Sequence, residues 1–286
     1  MNLKTIIKTM LLSIAIIIIG HVKTTAQTSS CCAISSTQAF AALGNDPSFG
    51  NAHLPPIPFH YESDKGKMIT YKTSDGKTAS AYEVKIEKAS DKYLIVVHEF
   101  WGLNDYIKRE AVSLHDELND VNIIALDLYD GKVGTVADSA MKLMKALTDD
   151  RAKAIINGAL AYAGKKAKIQ TIGWCMGGSW SLQASLLAAK QLKGCVMYYG
   201  MPEKNVDKLK TLNAPVLGIF ANKDKYINTD LVNQFEKDMK TAGKQLTLKR
   251  YDADHGFANP SNPKYEKTMA DEAHGIAVAF IKTNFK

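Results

Sequence analysis

A cysteine stands at the centre of Gly173-Trp174-Cys175-Met176-Gly177-Gly178, with glycine two residues before it and glycines two and three residues after. An apolar, strand-like run from Lys168 to Gly173 leads in, and a helix-like stretch from Ser179 to Ala189 leads out. Strand, tight turn and helix in that order make a nucleophile elbow, here with cysteine where serine is usual. A side chain on so sharp a turn sits at strained backbone angles, and neighbours without Cβ let strand and helix pass close together. The helix N-terminus beneath it offers free N–H groups and the positive end of a dipole, which favour a thiolate or an oxyanion. Such a group attacks a carbonyl carbon and forms a thioester.

A thiol needs a base to become a good nucleophile, and the base needs an acceptor to fix its tautomer. His255 lies in Asp252-Ala253-Asp254-His255-Gly256-Phe257, just after a strand-like run, Leu246 to Tyr251. Asp224 ends Ala221-Asn222-Lys223-Asp224, just after another run, Pro215 to Phe220. Asp252 and Asp254 rival Asp224 by nearness, but a residue beside the histidine seldom reaches back to its ring. Nucleophile, acid and histidine in that chain order match an α/β-hydrolase arrangement. His98-Glu99-Phe100-Trp101-Gly102 ends the first long apolar strand. There the backbone N–H groups of Phe100 and Met176 are candidates for an oxyanion hole, each such donor being worth ~3–4 kcal/mol of barrier. Glu99 then falls beside Cys175.

The elements that must position these groups alternate along the chain. Lys67 to Thr73 and Thr78 to Ile86 flank Asp75-Gly76, a hairpin signal. Leu94-Ile95-Val96-Val97 and Asn122 to Leu126 are continuous apolar runs, as strands covered on both faces should be. Helical spacing links Ile107, Ala111, Leu114 and Leu118, then Ala140, Leu143, Met144 and Leu147, then residues 152–163. Gly194 to Tyr199 reads as a strand, Leu231 to Thr241 and Tyr265 to Thr283 as helices. The expected fold class is α/β, of α/β-hydrolase type. It has a mostly parallel sheet, helices on both faces, an N-terminal hairpin and ligands at the carboxyl ends of the strands.

The ends of the chain carry other signals. Lys4 and Lys8, an apolar stretch from Met10 to Gly20 and Thr24-Thr25-Ala26 read as a secretory signal over residues 1–26, cut after Ala26. The stretch is shorter than the ~20 residues a spanning helix needs; a retained anchor is the alternative. The mature protein is therefore expected in the periplasm or outside the cell, without stable membrane insertion. Residues 27–60, rich in Ser, Ala, Gly and Pro, read as a wrapping or partly mobile arm, and 61–286 as one domain. The formal charge of +7 includes the leader's Lys4, Lys8 and Lys23. No dense basic run interleaves with aromatics, which argues against nucleic-acid binding. Of the four cysteines, Cys195 reads as a buried strand residue. The adjacent Cys31 and Cys32 either face another chain or remain thiols.

Taken in order, His98-Glu99-Phe100-Trp101-Gly102, Asp127-Leu128-Tyr129, the cysteine elbow, Asp224 and Asp254-His255-Gly256-Phe257 resemble the dienelactone hydrolase family. The likeness covers roughly residues 65 to 285. It implies a Cys175–His255–Asp224 triad, no cofactor, and a small-molecule ester or lactone substrate. It also implies that Glu99 keeps the resting thiol neutral until substrate displaces it. Trp101, Tyr129, Lys132, Phe257 and Asn259 are candidate substrate contacts. The resemblance also implies two substrate-holding arginines, but the matching stretches read Asp130-Gly131-Lys132 and Phe257-Ala258-Asn259. Lys132 offers a point charge without bidentate recognition, so a substrate other than dienelactone is expected. No histidine pair at ligand spacing implies a metal, and no dinucleotide fingerprint is present. Two rivals remain, a binding or sensing protein that has lost catalysis and a cysteine amidohydrolase or peptidase. The latter commonly ends in His-x-Glu, unlike His255-Gly256-Phe257.

Overall fold

The chain's apolar runs become the middle of one sheet. The computed structural model describes residues 34–286; the leader read over 1–26, with Cys31 and Cys32, lies outside the described residues. The strands are β1 (Gly66–Lys72), β2 (Thr78–Val84), β3 (Lys92–Val97), β4 (Asn122–Leu126), β5 (Lys168–Trp174), β6 (Leu192–Tyr198), β7 (Val216–Ala221) and β8 (Leu246–Tyr251). They lie in the order β1-β2-β4-β3-β5-β6-β7-β8. β1 pairs antiparallel with β2, and β2 antiparallel with β4; every later pairing is parallel. The β1–β2 hairpin turns at Gly76, whose φ of 78° favours glycine.

The order reverses at β3. From there the chain goes outward to β4 and returns to β5 on the other side, opening a crevice at the carboxyl edge where α/β sheets bind ligands. Register brings the strand ends level at this edge: Val97 stands opposite both Leu126 and Gly173, Trp174 opposite Tyr198, and Ala221 opposite Tyr251. The loops after β3, β5, β7 and β8 therefore open on one side.

The helices are α1 (Ser36–Ala42), α2 (Pro47–Ala52), α3 (Asp105–Leu118), α4 (Ala137–Ala146), α5 (Asp149–Ala163), α6 (Met176–Ala188), α7 (Val206–Leu209), α8 (Thr229–Thr241) and α9 (Lys267–Asn284). α3 packs on α9 and α5 on α6, so the sheet has a helix layer on each face. α6 is buried over most of its length, which suits its apolar character on all sides. Arg151 at the start of α5 ties the hairpin to the loop after β4, bonding Asp75, Asp130 and the Thr78 carbonyl. Among the described residues, no helix is long and apolar enough to cross a membrane.

The stretch read as an arm holds two short helices. Ser35 and Gln38 form a capping box that starts α1, and Asp46 caps α2 with Pro47 in the first turn. Phe40 and Phe49 are fully buried and join the core. Thr37 donates to Asp149, and Gln183 on α6 donates to Ser36.

The start of α6 is wedged against the sheet. A Cβ at Gly177 would lie 2.3 Å from the carbonyl oxygens of Val97 and His98, and one at Gly173 would lie 2.1 Å from the Gly177 carbonyl oxygen. Both contacts are with backbone, which cannot rotate away. Gly177→Ala is therefore expected to destabilise the fold by about 1–3 kcal/mol, the range for overpacking a filled site. Urea unfolding should show a lower midpoint with unchanged slope. An unchanged midpoint would mean that α6 can shift aside.

Candidate active site

Cys175 joins β5 to α6 with φ 57° and ψ −121°, a backbone conformation that L-residues rarely adopt. The turn lifts its sulfur over the sheet edge. His255, on the loop after β8, places Nε2 3.2 Å from the Cys175 sulfur. Its Nδ1 is 2.5 Å from Oδ2 of Asp224, on the loop after β7. The other Asp224 oxygen accepts the N–H groups of Tyr226 and Ile227. Asp252 and Asp254 instead pair outward, with Lys223 and Lys264. Sulfur, imidazole and carboxylate thus form one chain of contacts.

Burial sets the charges here. It would raise Asp224, but the neighbouring His255 and the two N–H bonds leave its carboxyl below the ordinary value. It would lower His255, but the Asp224 carboxylate holds that imidazole well above its ordinary range. Burial pushes the Cys175 thiol up; His255 and the Met176 N–H pull it back, while Glu99 adds to the rise.

Glu99, Phe100 and Trp101 follow β3. The Phe100 N–H makes no hydrogen bond among the described residues. The loop is fixed by His98, which is fully buried. Its Nδ1 lies 2.7 Å from the Glu99 carbonyl oxygen, and its Nε2 accepts the Leu128 N–H at 3.1 Å. Those partners define a neutral Nδ1–H tautomer, and burial lowers its pKa to about 4. Glu99 is buried too, and burial raises its carboxyl to about 7. Its Oε2 accepts Asn259 Nδ2 at 2.7 Å.

His53, from the arm, has no counterpart in the sequence reading. Its Nδ1 bonds the Phe49 carbonyl oxygen at 2.7 Å, and its Nε2 lies 3.8 Å from the Cys175 sulfur. Its ring packs on Phe100 and His255. Burial, then the charge on His255, lowers its pKa to about 4. A single histidine in a Pro-rich stretch gave no periodic or motif signal; only the docking of Phe49 brings it in.

His53, Leu54, Glu99, Trp101, Cys175, His255 and Asn259 surround a cleft of only ≈10 Å³, about the space of one water. Glu99 and Asn259 also line a larger cavity of ≈390 Å³ with Tyr106, Arg109, Trp174 and Tyr198. The Glu99–Asn259 pair is thus a wall between the two.

Residues 80–285 match the model of the dienelactone hydrolase family. The chain belongs to the dienelactone hydrolase family. Protein usf of Aquifex pyrophilus is 26% identical over 230 residues, spanning 76% of this chain and 98% of its own. A protein of Aquifex aeolicus named as a carboxymethylenebutenolidase is 24% identical, spanning 77% of this chain and all of its own. A crystal structure named for a dienelactone hydrolase of Klebsiella pneumoniae superposes with a TM-score of 0.64 at 25% identity, covering 75% of this chain and 98% of that one. The protein is accordingly a hydrolase acting on ester or lactone bonds. Residues 34–79, including His53, fall outside the range matched by the dienelactone hydrolase model.

Of the candidate substrate contacts, the structure brings Trp101 and Asn259 to the cleft and leaves three elsewhere. Phe257 is fully buried and packs on Tyr199 and Tyr251. The Tyr129 hydroxyl is buried 3.2 Å from both the Phe100 carbonyl oxygen and the Met176 sulfur, so it braces the loop. Lys132 is exposed and lines neither cavity. Glu99, read as the thiol's resting partner, accepts its hydrogen bond from Asn259, while the sulfur contacts His255.

The raised Glu99 pKa makes a stability prediction. Between its ordinary value of 4.5 and about 7, the folded chain keeps a proton that the unfolded chain releases. Glu99 therefore leaves stability untouched below pH 4.5, and erodes it as pH rises to about 7, by about 3 kcal/mol in all. Glu99→Gln should remove that decline. Urea titrations at about pH 4.5 and 8 check it; equal pH slopes for the two proteins would show that Glu99 ionises normally.

Proposed function

We propose that Cys175, His255 and Asp224 act as a nucleophile–base–acid triad that hydrolyses small esters or lactones through a thioester. The supporting observation is the unbroken run of contacts, Cys175 sulfur to His255 Nε2 at 3.2 Å and His255 Nδ1 to Asp224 at 2.5 Å. In this reading the thiol proton passes to His255 Nε2 as sulfur attacks the carbonyl carbon. The Phe100 and Met176 N–H groups hold the oxyanion. Collapse expels the alcohol oxygen, which takes the proton back from His255. His255 then draws a proton from water, the hydroxide adds to the thioester, and collapse of that adduct releases the acid while the departing sulfur takes the proton back from His255. Asp224 fixes the His255 tautomer and stabilises the imidazolium. Glu99 acts on the thiol through charge rather than contact, since its ionised form disfavours a thiolate.

Export is part of the same proposal, supported by Lys4, Lys8 and the apolar stretch before Thr24-Thr25-Ala26. The mature chain recovered from a producing cell should begin at Gln27. Recovery of a chain that still begins at Met1 would end the cleaved-signal reading in favour of a retained anchor, and its presence in the cytosolic fraction would end export.

On p-nitrophenyl esters, Cys175→Ala should lower kcat/KM by at least about 10³-fold, and Asp224→Asn by a comparable factor. Wild type quenched during turnover should carry one acyl group on the peptide containing Cys175, by mass spectrometry. Undiminished turnover by Cys175→Ala would exclude the triad.

A further inference from the structure

His53 has no part in the proposed hydrolysis, yet its Nε2 and that of His255 converge on one sulfur. The three ligating atoms of His53, Cys175 and His255 all lie within 4.8 Å of one another. The geometry points to a binding site for a divalent ion of the zinc class. The ion would be held by the Cys175 thiolate and two imidazole Nε2 atoms, one of them supplied by the N-terminal arm.

The dimensions fit. Zinc–sulfur and zinc–nitrogen bonds at tetrahedral angles set sulfur and nitrogen about 3.6 Å apart. The observed separations from the Cys175 sulfur are 3.2 Å to His255 and 3.8 Å to His53, on either side of that value. The ligand types fit as well, since thiolate with imidazole suits zinc or copper and excludes magnesium and calcium.

Both imidazoles are also oriented as metal ligands are. A metal-bound histidine gives its other N–H to a carboxylate or a backbone carbonyl, which fixes the tautomer and turns the free lone pair to the metal. His255 gives Nδ1–H to Asp224, and His53 gives Nδ1–H to the Phe49 carbonyl. The arm is held by the fully buried Phe40 and Phe49, so His53 is delivered by a packed element rather than a loose tail. The same three residues line the small cleft, which has about the room of one water.

Binding releases one proton. Sulfur and the two imidazoles donate lone pairs to the ion, and the proton that Cys175 and His255 share goes to solvent. The bound ion occupies both the nucleophile and its base, so it silences the triad. Through His53 it also ties the arm across the cleft. The silencing rests on the proposed triad; the ion site itself rests only on the three ligands.

Titration of the full-length protein with Co²⁺ tests the site. Wild type should take up one ion with a thiolate-to-cobalt charge-transfer band, and Zn²⁺ should displace it. His53→Ala and the bulkier His53→Gln should each weaken binding beyond the 10–100-fold that loss of an outer-shell partner costs. X-ray absorption of the wild-type zinc form should count one sulfur and two imidazole nitrogens, a readout that does not depend on how a variant folds. No cobalt band in folded wild type, or zinc without sulfur, would overturn the site. Affinity unchanged by both His53 substitutions would remove the arm from it. Ester turnover in chelator is scored separately: its absence counts against the triad, whereas the cobalt band stands or falls on the ligands. Where turnover is present, Zn²⁺ should abolish it and chelator restore it.

Discussion

Helix α6 begins in a slot only backbone can occupy, and the conformation of Cys175 follows from that. Gly177 touches the carbonyls at the end of β3, and Gly178 would place a Cβ 2.4 Å from the Tyr198 carbonyl oxygen at the end of β6. With the helix start fixed between two strands, the residue joining β5 to α6 must reverse direction within a single position. It does so at φ 57° and ψ −121°, a conformation costing about 1–3 kcal/mol. Burial of α6 offsets that: Trp180 and Leu182 are almost wholly enclosed, and each such side chain contributes about 1.5–3 kcal/mol. Packing thus outweighs strain, and the sulfur is held over the sheet edge whether or not a substrate is there.

Within this enclosed edge, hydrogen bonds decide which groups carry charge. Asp224 and Glu99 are both buried carboxyls. Asp224 accepts two backbone N–H groups and faces an imidazole, so its charge is supported and its pKa falls. Glu99 has one amide donor, and burial wins. The two neutral histidines follow the same rule. His98 and His53 meet partners that suit an uncharged ring, a carbonyl oxygen at Nδ1 in both cases, and no carboxylate touches either. One ionised carboxylate and one imidazole of raised proton affinity are therefore set beside a thiol that burial keeps protonated.

Much of this was legible in the sequence, for reasons particular to each part. Patterned runs bounded by turn residues located the strands, and Asn122–Leu126 and Leu246–Tyr251 fall where read, the first as a continuous buried run and the second as an edge strand with alternating exposure. The glycines around Cys175 announced a close approach that only a helix wedged on a sheet requires. The chain order of Cys175, Asp224 and His255 located groups that the sheet edge brings together. The arm was obscure: Ser35–Gln38 and Asp46–Pro47 are helix-start signals, but each helix is a turn or two long, too short for apolar periodicity to register. Its anchors, Phe40 and Phe49, are single residues whose burial depends on a surface made elsewhere in the chain. The same holds for the histidine–cysteine cluster, whose members at 53, 175 and 255 have no common spacing to find. Lys132 and Phe257 lie away from the cleft, because adjacency to a motif does not fix the direction of a side chain.

The closed cleft constrains how any substrate reaches the sulfur. A space for one water admits no acyl group, so something at its edge must move. Two walls are available. Withdrawing the arm would strip Phe49 from Phe100 and Tyr226, a loss on the scale of a buried phenylalanine truncation, about 3–5 kcal/mol. Parting Glu99 from Asn259 breaks one hydrogen bond, worth about 1.5–3 kcal/mol when charge-assisted, and joins the cleft to the ≈390 Å³ cavity. The second movement is the smaller. It also shifts a carboxyl whose charge bears on the Cys175 thiol, so under the proposed triad, entry by that wall would couple substrate arrival to nucleophile activation without any change in the fold.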